Sequence, residues 1–224
     1  MPRNSRVSVG GEIYHVINRS NGRLTIFEKK DDYQLFEELL LDTKELIDMR
    51  ILAYTLMPNH WHLLLHPKED GDLSNFMHLL TNTHTRKVHA RTGTNGSGHL
   101  YQGRYKSFLV GTDTYVLGLI KYIERNPVRA KLAKHPEDWQ WGSAWQRMNG
   151  NRKSLIDPSP VPLPHGYQQW VNTSEKEDGL LDIRTSVNKG VPYGRESWVE
   201  KMVAKHRLES TRHAPGRPRI KTHV

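Results

Sequence analysis

Cysteine is absent from this chain of 224 residues. Disulfide bonds and thiolate zinc sites are therefore excluded, and a bound metal ion would need nitrogen or oxygen ligands. No apolar run approaches the ~20 residues that span a bilayer. Residues 1–10 also lack the apolar stretch of a signal peptide. We therefore expect a soluble, cytoplasmic protein without a membrane partner.

The chain also lacks the G-x-x-x-x-G-K-[S/T] loop that cradles nucleotide phosphates, so we expect no nucleoside triphosphate as substrate. Acidic residues are few, because 24 Asp and Glu stand against 33 Lys and Arg and leave a net charge of +9. This balance favours a polyanionic partner, nucleic acid before a membrane surface, and a place at the nucleoid. The length suits one domain with an appendage.

The most informative stretch is Met-Pro-Asn-His-Trp-His at residues 57–62, followed by three leucines and His66. Alternate side chains of a strand share a face, so His60 and His62 point the same way, opposite to Trp61. Two imidazoles one strand step apart can hold one divalent metal ion. Alone, such a pair is more often two ordinary polar residues on a half-buried strand. A further ligand and a reacting group elsewhere in the chain would decide between these interpretations.

Hydrophobic periodicity predicts the order strand, helix, strand, strand, helix, strand. The four strands are expected at residues 12–18, 51–57, 60–66 and 104–110, and the two helices at about 31–48 and 72–91. This order is the ferredoxin-like βαββαβ pattern, an α+β fold with a four-stranded antiparallel sheet and both helices on one face. Several kinds of nucleic-acid protein share the pattern, so the fold narrows the function without deciding it.

A further helix is predicted after the last strand, beginning at Thr112 or Asp113 and ending before Pro127. Tyr122 and Asn126 are four residues apart and should lie on one flank of that helix. Each also has an ordinary explanation. A tyrosine on a helix flank is usually a rim residue, and an asparagine before a proline usually closes a helix.

The composition changes after residue 150. A proline-rich linker at residues 157–164 leads to helices predicted near residues 175–188 and 194–206. We interpret residues 151–206 as a linker and a small helical DNA-binding extension. Residues 207–224 form a basic tail that is expected to lack fixed structure when unbound.

Three segments in order resemble the REP-associated tyrosine transposases, members of the HUH single-tyrosine transposase superfamily. These segments are residues 57–62, residues 99–106 (His-Leu-Tyr-Gln-Gly-Arg-Tyr-Lys) and residues 122–130 (Tyr-Ile-Glu-Arg-Asn-Pro-Val-Arg-Ala). The resemblance implies that residues 1–150 form an HUH single-tyrosine transposase domain with a ferredoxin-like core and an added catalytic helix. It also implies a substrate of single-stranded DNA carrying the hairpin of a repetitive extragenic palindrome (REP).

The resemblance further assigns roles to individual residues. It implies that Tyr122 is the nucleophile, and that His60, His62 and Asn126 bind Mg²⁺ or Mn²⁺. Attack by the tyrosine would leave a 5′-phosphotyrosine, although the base that activates the phenol is not evident in the sequence. The tail at residues 215–219, Pro-Gly-Arg-Pro-Arg, resembles an AT-hook, a minor-groove reader.

Basic residues beside these motifs are candidates for contacts with DNA phosphates, with a generic basic surface as the equally weighted alternative. They are Arg19, Arg23, Arg104, Lys106, Arg125 and Arg129, joined by the tail residues Arg217 and Arg219.

Two other functions remain open at this stage. One is a non-catalytic protein that binds hairpin DNA, although such a protein needs neither the histidine pair nor Tyr122. The other is a metal hydrolase that uses water, with His66 as an additional ligand. A relaxase or replication initiator would be expected to have a larger histidine cluster and a longer chain. We expect a monomer or a homodimer.

Overall fold

The computed structural model describes residues 7–96, 98–111, 114–150 and 155–212. Within these ranges the strands are β1 (Ile13–Arg19), β2 (Arg50–Met57), β3 (His60–His66) and β4 (Lys106–Val110). The α-helices are α1 (Lys30–Ile47), α2 (Asp72–Thr92), α3 (Thr114–Glu124), α4 (Asn126–Arg129), α5 (Ser143–Asn149), α6 (Tyr167–Asn172), α7 (Glu177–Lys189) and α8 (Glu196–His206). The predicted α+β fold with its βαββαβ order is confirmed. The predicted helix-capping residues Thr112 and Asp113 lie outside the described residues.

The four strands form one sheet in the order β2-β3-β1-β4, and every neighbouring pair is antiparallel. The two-residue turn at Pro58 and Asn59 joins β2 to β3, so that Met57 pairs with His60. The backbone of this turn is held from outside the sheet, because the Pro58 carbonyl accepts hydrogen bonds from Ile26 N and Phe27 N at 2.8 and 3.1 Å. The end of β3 that carries the histidine motif lies next to the end of β1.

Side chains that alternate along β3 enter two different cores. Trp61, Leu63 and Leu65 belong to the core beneath α1 and α2. Leu64 packs in a second core, on the opposite face of the sheet, with side chains of α3. This arrangement explains the nearly continuous apolar run of β2, because both of its faces are covered. It also places His60 and His62 on the face that α3 covers.

The C-terminal extension packs against both cores. Ile183 of α7 joins the core beneath α3, and Met202 of α8 joins the core beneath α1 and α2. The proline-rich segment is attached to the sheet as well, since the Asp157 carboxylate accepts from Ile51 N at 2.8 Å and pairs with Lys44 at 2.8 Å. The predicted proline-rich linker is therefore held against the sheet.

The ordered structure continues beyond the boundary expected for the tail. Leu208 is only 9% exposed and belongs to the larger core, and Arg212 forms an ion pair with Glu196. The prediction that the tail lacks fixed structure is therefore wrong for residues 207–212, because the apolar side chain of Leu208, two residues after α8, packs in the core. The AT-hook-like residues 215–219 lie outside the described residues. Within the described residues, no helix is long and apolar enough to cross a membrane.

Candidate active site

His60 and His62 lie side by side at the open end of β3, with ring centres 5.2 Å apart. His60 Nδ1 lies 2.7 Å from Asn59 Oδ1. The orientation of this amide is supported by its other end, where Asn59 Nδ2 donates to the Arg23 carbonyl at 3.3 Å. Because an amide oxygen only accepts hydrogen bonds, His60 donates through Nδ1 and keeps the lone pair of Nε2 free.

A third histidine, His15 of β1, lies against this pair. His15 Nε2 is 2.9 Å from His62 Nδ1, and the two rings stack with centres 5.1 Å apart. His15 is fully buried, and its Nδ1 has no hydrogen-bond partner among the described residues. His15 is therefore no candidate for direct metal binding. The contact with His15 occupies His62 Nδ1, so a ligand could reach this ring only through Nε2.

Burial keeps these imidazoles neutral near pH 7. Desolvation lowers the pKa of His15 to about 3, and desolvation together with the charge of Arg19 lowers the pKa of His60 to about 4. The pKa of His62 lies well below its ordinary value through desolvation first, and then through the neighbouring histidines and the charges of Arg129 and Arg19. Neutral imidazole is the form that binds metal ions, so protons do not compete for this site at pH 7.

Tyr122 of α3 approaches the histidines edge-on. Its ring centre lies 6.0 Å from that of His62 and 6.4 Å from that of His15. Burial raises the pKa of the Tyr122 phenol, while the charges of Arg129 and Arg184 oppose that rise. Tyr122, the nucleophile that the family resemblance implies, therefore lies beside the histidine pair.

The guanidinium of Arg129 covers the ring of Tyr122, with Cζ 4.2 Å from the ring centre. The same guanidinium donates to the Tyr122 carbonyl and to the carboxylate of Glu175. Glu175 also accepts from Arg125 Nε at 2.7 Å. A carboxylate between α6 and α7 therefore holds a cation against the phenol of α3.

A family model described as "Transposase IS200 like" matches residues 8–126, a span that includes β1, the histidine pair and Tyr122. The chain belongs to the IS200-like transposase family. No curated protein matches the sequence.

Two solved structures resemble this transposase. One is a REP-associated tyrosine transposase bound to a REP hairpin, with a TM-score of 0.56 and 18% identity, covering 72% of this chain and 94% of that one. The other is a candidate transposase from Deinococcus radiodurans R1, with a TM-score of 0.40 and 19% identity, covering 55% and 97% of the two chains. The first match confirms the predicted fold and its likeness to the REP-associated tyrosine transposases.

Asn126 begins α4, one turn after Tyr122 in the transposase chain. Its Nδ2 donates to the carbonyls of Tyr122 and Ile123 at 3.1 and 3.4 Å. Within the described part of the chain, its Oδ1 makes no hydrogen bond. Asn126 therefore closes the end of α3, as an asparagine before Pro127 commonly does, and still presents an oxygen atom suited to a metal ion.

The spacing of the two imidazole rings is compatible with a shared divalent metal ion. With metal–nitrogen bonds of about 2.1 Å at right angles, two imidazole ring centres lie roughly 4.5–5 Å apart, close to the 5.2 Å between His60 and His62. No group of three His, Asp or Glu side chains that could hold a metal ion occurs among the described residues. An amide oxygen such as that of Asn126 would complete a donor set acceptable to Mg²⁺ or Mn²⁺.

Three of the predicted DNA-binding residues meet in one cleft of about 310 Å³, namely Arg19, Arg104 and Lys106. No Asp or Glu among the described residues lines this cleft. Arg19 is the partner of His60 in the pairing of β1 with β3, so the cleft adjoins the histidine pair.

The other predicted DNA contacts are placed differently. Arg125 is 7% exposed and donates to two carbonyls of α6 as well as to Glu175. Arg129 pairs with Glu175 as well, so both arginines have a partner inside the protein, and their contact with DNA phosphates stays a prediction. Arg23 is exposed at the end of the turn after β1. Two candidates lie outside the described residues: Arg217 and Arg219.

His66 is remote from the histidine pair. It is four residues beyond His62 along β3, about 13 Å at 3.3 Å per residue. Both of its ring nitrogens have partners, Nδ1 with Arg50 at 3.3 Å and Nε2 with the Gly11 carbonyl at 3.2 Å. The water-using hydrolase with His66 as a ligand therefore finds no support in the geometry.

Sequence interpretation missed two residues of the site, His15 and Glu175. His15 carried a detectable signal, because a histidine in the middle of an otherwise apolar strand must find a polar partner inside the protein. Glu175 carried none, since it lies 46 residues from Arg129 along the chain and no periodicity links the two.

Proposed function

We propose that this IS200-like transposase is a metal-dependent strand transferase for single-stranded DNA, which cleaves beside REP-type hairpins through a 5′-phosphotyrosine. The observation that carries the proposal is the placement of Tyr122, 6.0 Å from His62 between ring centres. The REP hairpin bound by the structural relative supports the choice of substrate.

The substrate strand would lie in the cleft of Arg19, Arg104 and Lys106. These cations neutralise phosphates without regard to sequence. They also fix the strand relative to the histidine pair, because Arg19 pairs with His60. Recognition of the hairpin itself then rests on its shape and its unpaired bases.

Cleavage exchanges one phosphate ester for another. The Tyr122 oxygen bonds to phosphorus as the phenol gives its proton to water, the bond from phosphorus to the 3′-oxygen breaks, and that oxygen takes a proton to become a 3′-hydroxyl. Arg129 favours the phenolate because its positive charge faces the ring. A divalent metal ion held by His60 and His62 would neutralise the non-bridging phosphate oxygens. Since the ester is conserved in the adduct, rejoining requires no nucleoside triphosphate.

The test uses a hairpin oligonucleotide labelled at its 3′ end, incubated with Mg²⁺ or Mn²⁺. Wild-type protein should yield a labelled species that survives denaturation and whose peptide map places the DNA on Tyr122. Tyr122→Phe should bind the hairpin and give neither cleavage nor adduct, whereas a chelator should stop cleavage by the wild type.

Tyr115→Phe is the matched control, because Tyr115 lies on the same helix and packs against Tyr193 with ring centres 5.1 Å apart. This variant should cleave as the wild type does. Cleavage without an adduct would replace the proposal with a water-using hydrolase. Hairpin binding without cleavage under any metal condition would leave a non-catalytic binding protein.

A further inference from the structure

We propose that His15 is a positioning residue, which accepts a hydrogen bond from His62 Nδ1 and so keeps the lone pair of His62 Nε2 pointing into the site. The inference rests on the proposed metal site at His60 and His62. It concerns the state of His62 before any metal ion binds, so it can be tested separately.

The contact between the two rings contains a single proton. His15 Nε2 and His62 Nδ1 are 2.9 Å apart, which is a hydrogen bond, and one of the two nitrogens must donate. If His62 donates, its Nε2 carries a lone pair and can bind a metal ion. If His15 donates, the proton of neutral His62 sits on Nε2 and blocks that atom.

The neighbouring histidine indicates which arrangement the site adopts. His60 Nδ1 faces Asn59 Oδ1 at 2.7 Å and must donate to it. If His62 donates through Nδ1, His60 and His62 have the same tautomer. In each ring Nδ1 then donates to a fixed acceptor, and Nε2 carries the free lone pair. Metal-binding histidines in proteins commonly have this pattern, in which the other ring nitrogen donates to a fixed partner.

The arrangement leaves a buried group unpaired. When His15 accepts through Nε2, its own proton is on Nδ1, which is buried and has no partner among the described residues. A residue selected for stability alone would not be expected to keep an unpaired N–H at a site that is fully buried. The position of His15 is therefore better explained by what it does to His62 than by what it adds to the core.

The first measurement is the tautomer of His62, read from the nitrogen chemical shifts of protein labelled with ¹⁵N-histidine, without metal or DNA. We expect the proton of His62 on Nδ1 in the wild type. A proton on Nε2 in the wild type would overturn the inference, whatever the protein does to DNA.

The second measurement is the affinity for Mn²⁺ without DNA, determined by calorimetry for three variants. His15→Phe keeps the ring packing and removes the acceptor, and its affinity should fall by about 10- to 100-fold. His15→Gln offers an amide oxygen near the place of Nε2 and should recover most of that loss. His84→Phe is the matched control, since His84 is also fully buried but lies in the core beneath α1 and α2, and it should bind Mn²⁺ as the wild type does.

The outcomes separate this inference from the proposed function. Wild-type protein that binds no Mn²⁺ would refute the metal site, while the tautomer of His62 would still decide the role of His15. A folded His15→Phe with wild-type affinity would refute the positioning role. Should His15→Phe fail to fold, the tautomer of His62 in the wild type decides the question. The Mn²⁺ affinity of His15→Gln, compared with that of the wild type, is then the second test.

Discussion

The two faces of the sheet each bury a histidine close to a tyrosine. Beneath α1 and α2, His84 Nδ1 lies 2.8 Å from the hydroxyl of Tyr101, which also accepts from Trp61 Nε1 at 3.1 Å. Beneath α3, the Tyr122 ring faces His62, and the Tyr122 hydroxyl makes no hydrogen bond to another described residue. One phenol is fixed by two partners inside a closed core, and the other is available for reaction.

The surrounding charges differ as well. Burial raises the pKa of both Tyr101 and Tyr122. Only for Tyr122 do the causes include cations, with Arg129 foremost, that act against burial. A buried histidine beside a tyrosine is therefore an ambiguous sign of function. A free hydroxyl and an opposing positive charge are what distinguish the α3 face.

The largest expected effect contrasts histidines from the two faces. His60→Ala or His62→Ala should slow hairpin cleavage by about 10²- to 10³-fold, because each change removes a proposed ligand of the ion that would stabilise charge on the phosphate. Hairpin binding should remain, since it rests on distributed phosphate contacts. Cleavage rates under saturating DNA and Mg²⁺ measure the effect.

His84→Ala, on the other face of the sheet, should affect stability instead of cleavage. The change empties a fully buried site and should lower the free energy of unfolding, while the protein that remains folded cleaves at the wild-type rate. Wild-type cleavage by either His60→Ala or His62→Ala would show that the α3 face holds no catalytic metal site.

The next largest effect is the dependence of stability on pH that His84 causes, on the face of the sheet beneath α1 and α2. Desolvation lowers the pKa of His84 to about 3, so the unfolded chain binds a proton that the folded protein excludes. Stability from this group is complete above pH 6.5 and is lost as the pH falls toward the folded pKa. Between pH 7.5 and pH 5 the loss is about 2 kcal/mol.

Chemical denaturation at these two pH values checks the contribution. His84→Asn keeps a polar atom near Tyr101 but cannot take up a proton, so its stability should change by about 2 kcal/mol less than that of the wild type over the same interval. An equal change in both proteins would mean that His84 is not kept neutral by burial.

The sequence was sufficient for the fold and for one half of the site. The period of two along β3 placed His60 and His62 on one face, and the helical spacing after β4 placed Tyr122 and Asn126 on one flank of the next helix. Both predictions depend on local geometry, whereas the link between Tyr122 and the histidines came from the resemblance to the tyrosine transposases. The other half of the site depends on contacts between distant segments, as in the pairing of Glu175 with Arg125 and Arg129.

The same limit explains what the sequence did not reveal about Arg125, Arg129 and the start of the tail. Arg125 and Arg129 flank a motif and carry charge, so the sequence favoured a phosphate contact. Glu175 withdraws both from solvent, and nothing in the local sequence announces a partner about 50 residues away. The tail was taken to begin at residue 207 from its charge, although Leu208 still packs in the core.

A smaller effect tests the charge around Tyr122 directly. Arg129→Gln removes the cation above the ring and should slow cleavage by about tenfold, in line with a cation–π contact worth about 1–2 kcal/mol. The pH at which cleavage reaches its plateau should rise, because Arg129 lowers the pKa of the phenol. Glu175 acts in the opposite sense on this pKa, so Glu175→Gln should move the plateau to lower pH. Rate–pH profiles that shift in the same direction for both variants would refute an electrostatic role for the pair.

The smallest effect on chemistry is expected from the basic tail. Truncation after Arg212 removes Arg217, Arg219 and Lys221 and keeps Leu208 in the core. If both arginines contact phosphates, the slope of log affinity against log salt should become shallower by about 1.4 for a single strand or 1.8 for a duplex. Cleavage of saturating hairpin should not change.

Truncation after His206 adds a loss of packing to a larger loss of charge. It removes Arg207, Leu208 and Arg212 in addition, so it should also lower the free energy of unfolding by about 1.5–3 kcal/mol, the value of one buried leucine. Binding titrations at several salt concentrations and denaturation curves on both truncated proteins distinguish the two losses. A shorter protein that bound the hairpin with an unchanged salt slope would mean that the tail makes no phosphate contacts. The cleft of Arg19, Arg104 and Lys106 would then account for the attraction to DNA, because its three cations lie beside the histidine pair in a region free of described carboxylates.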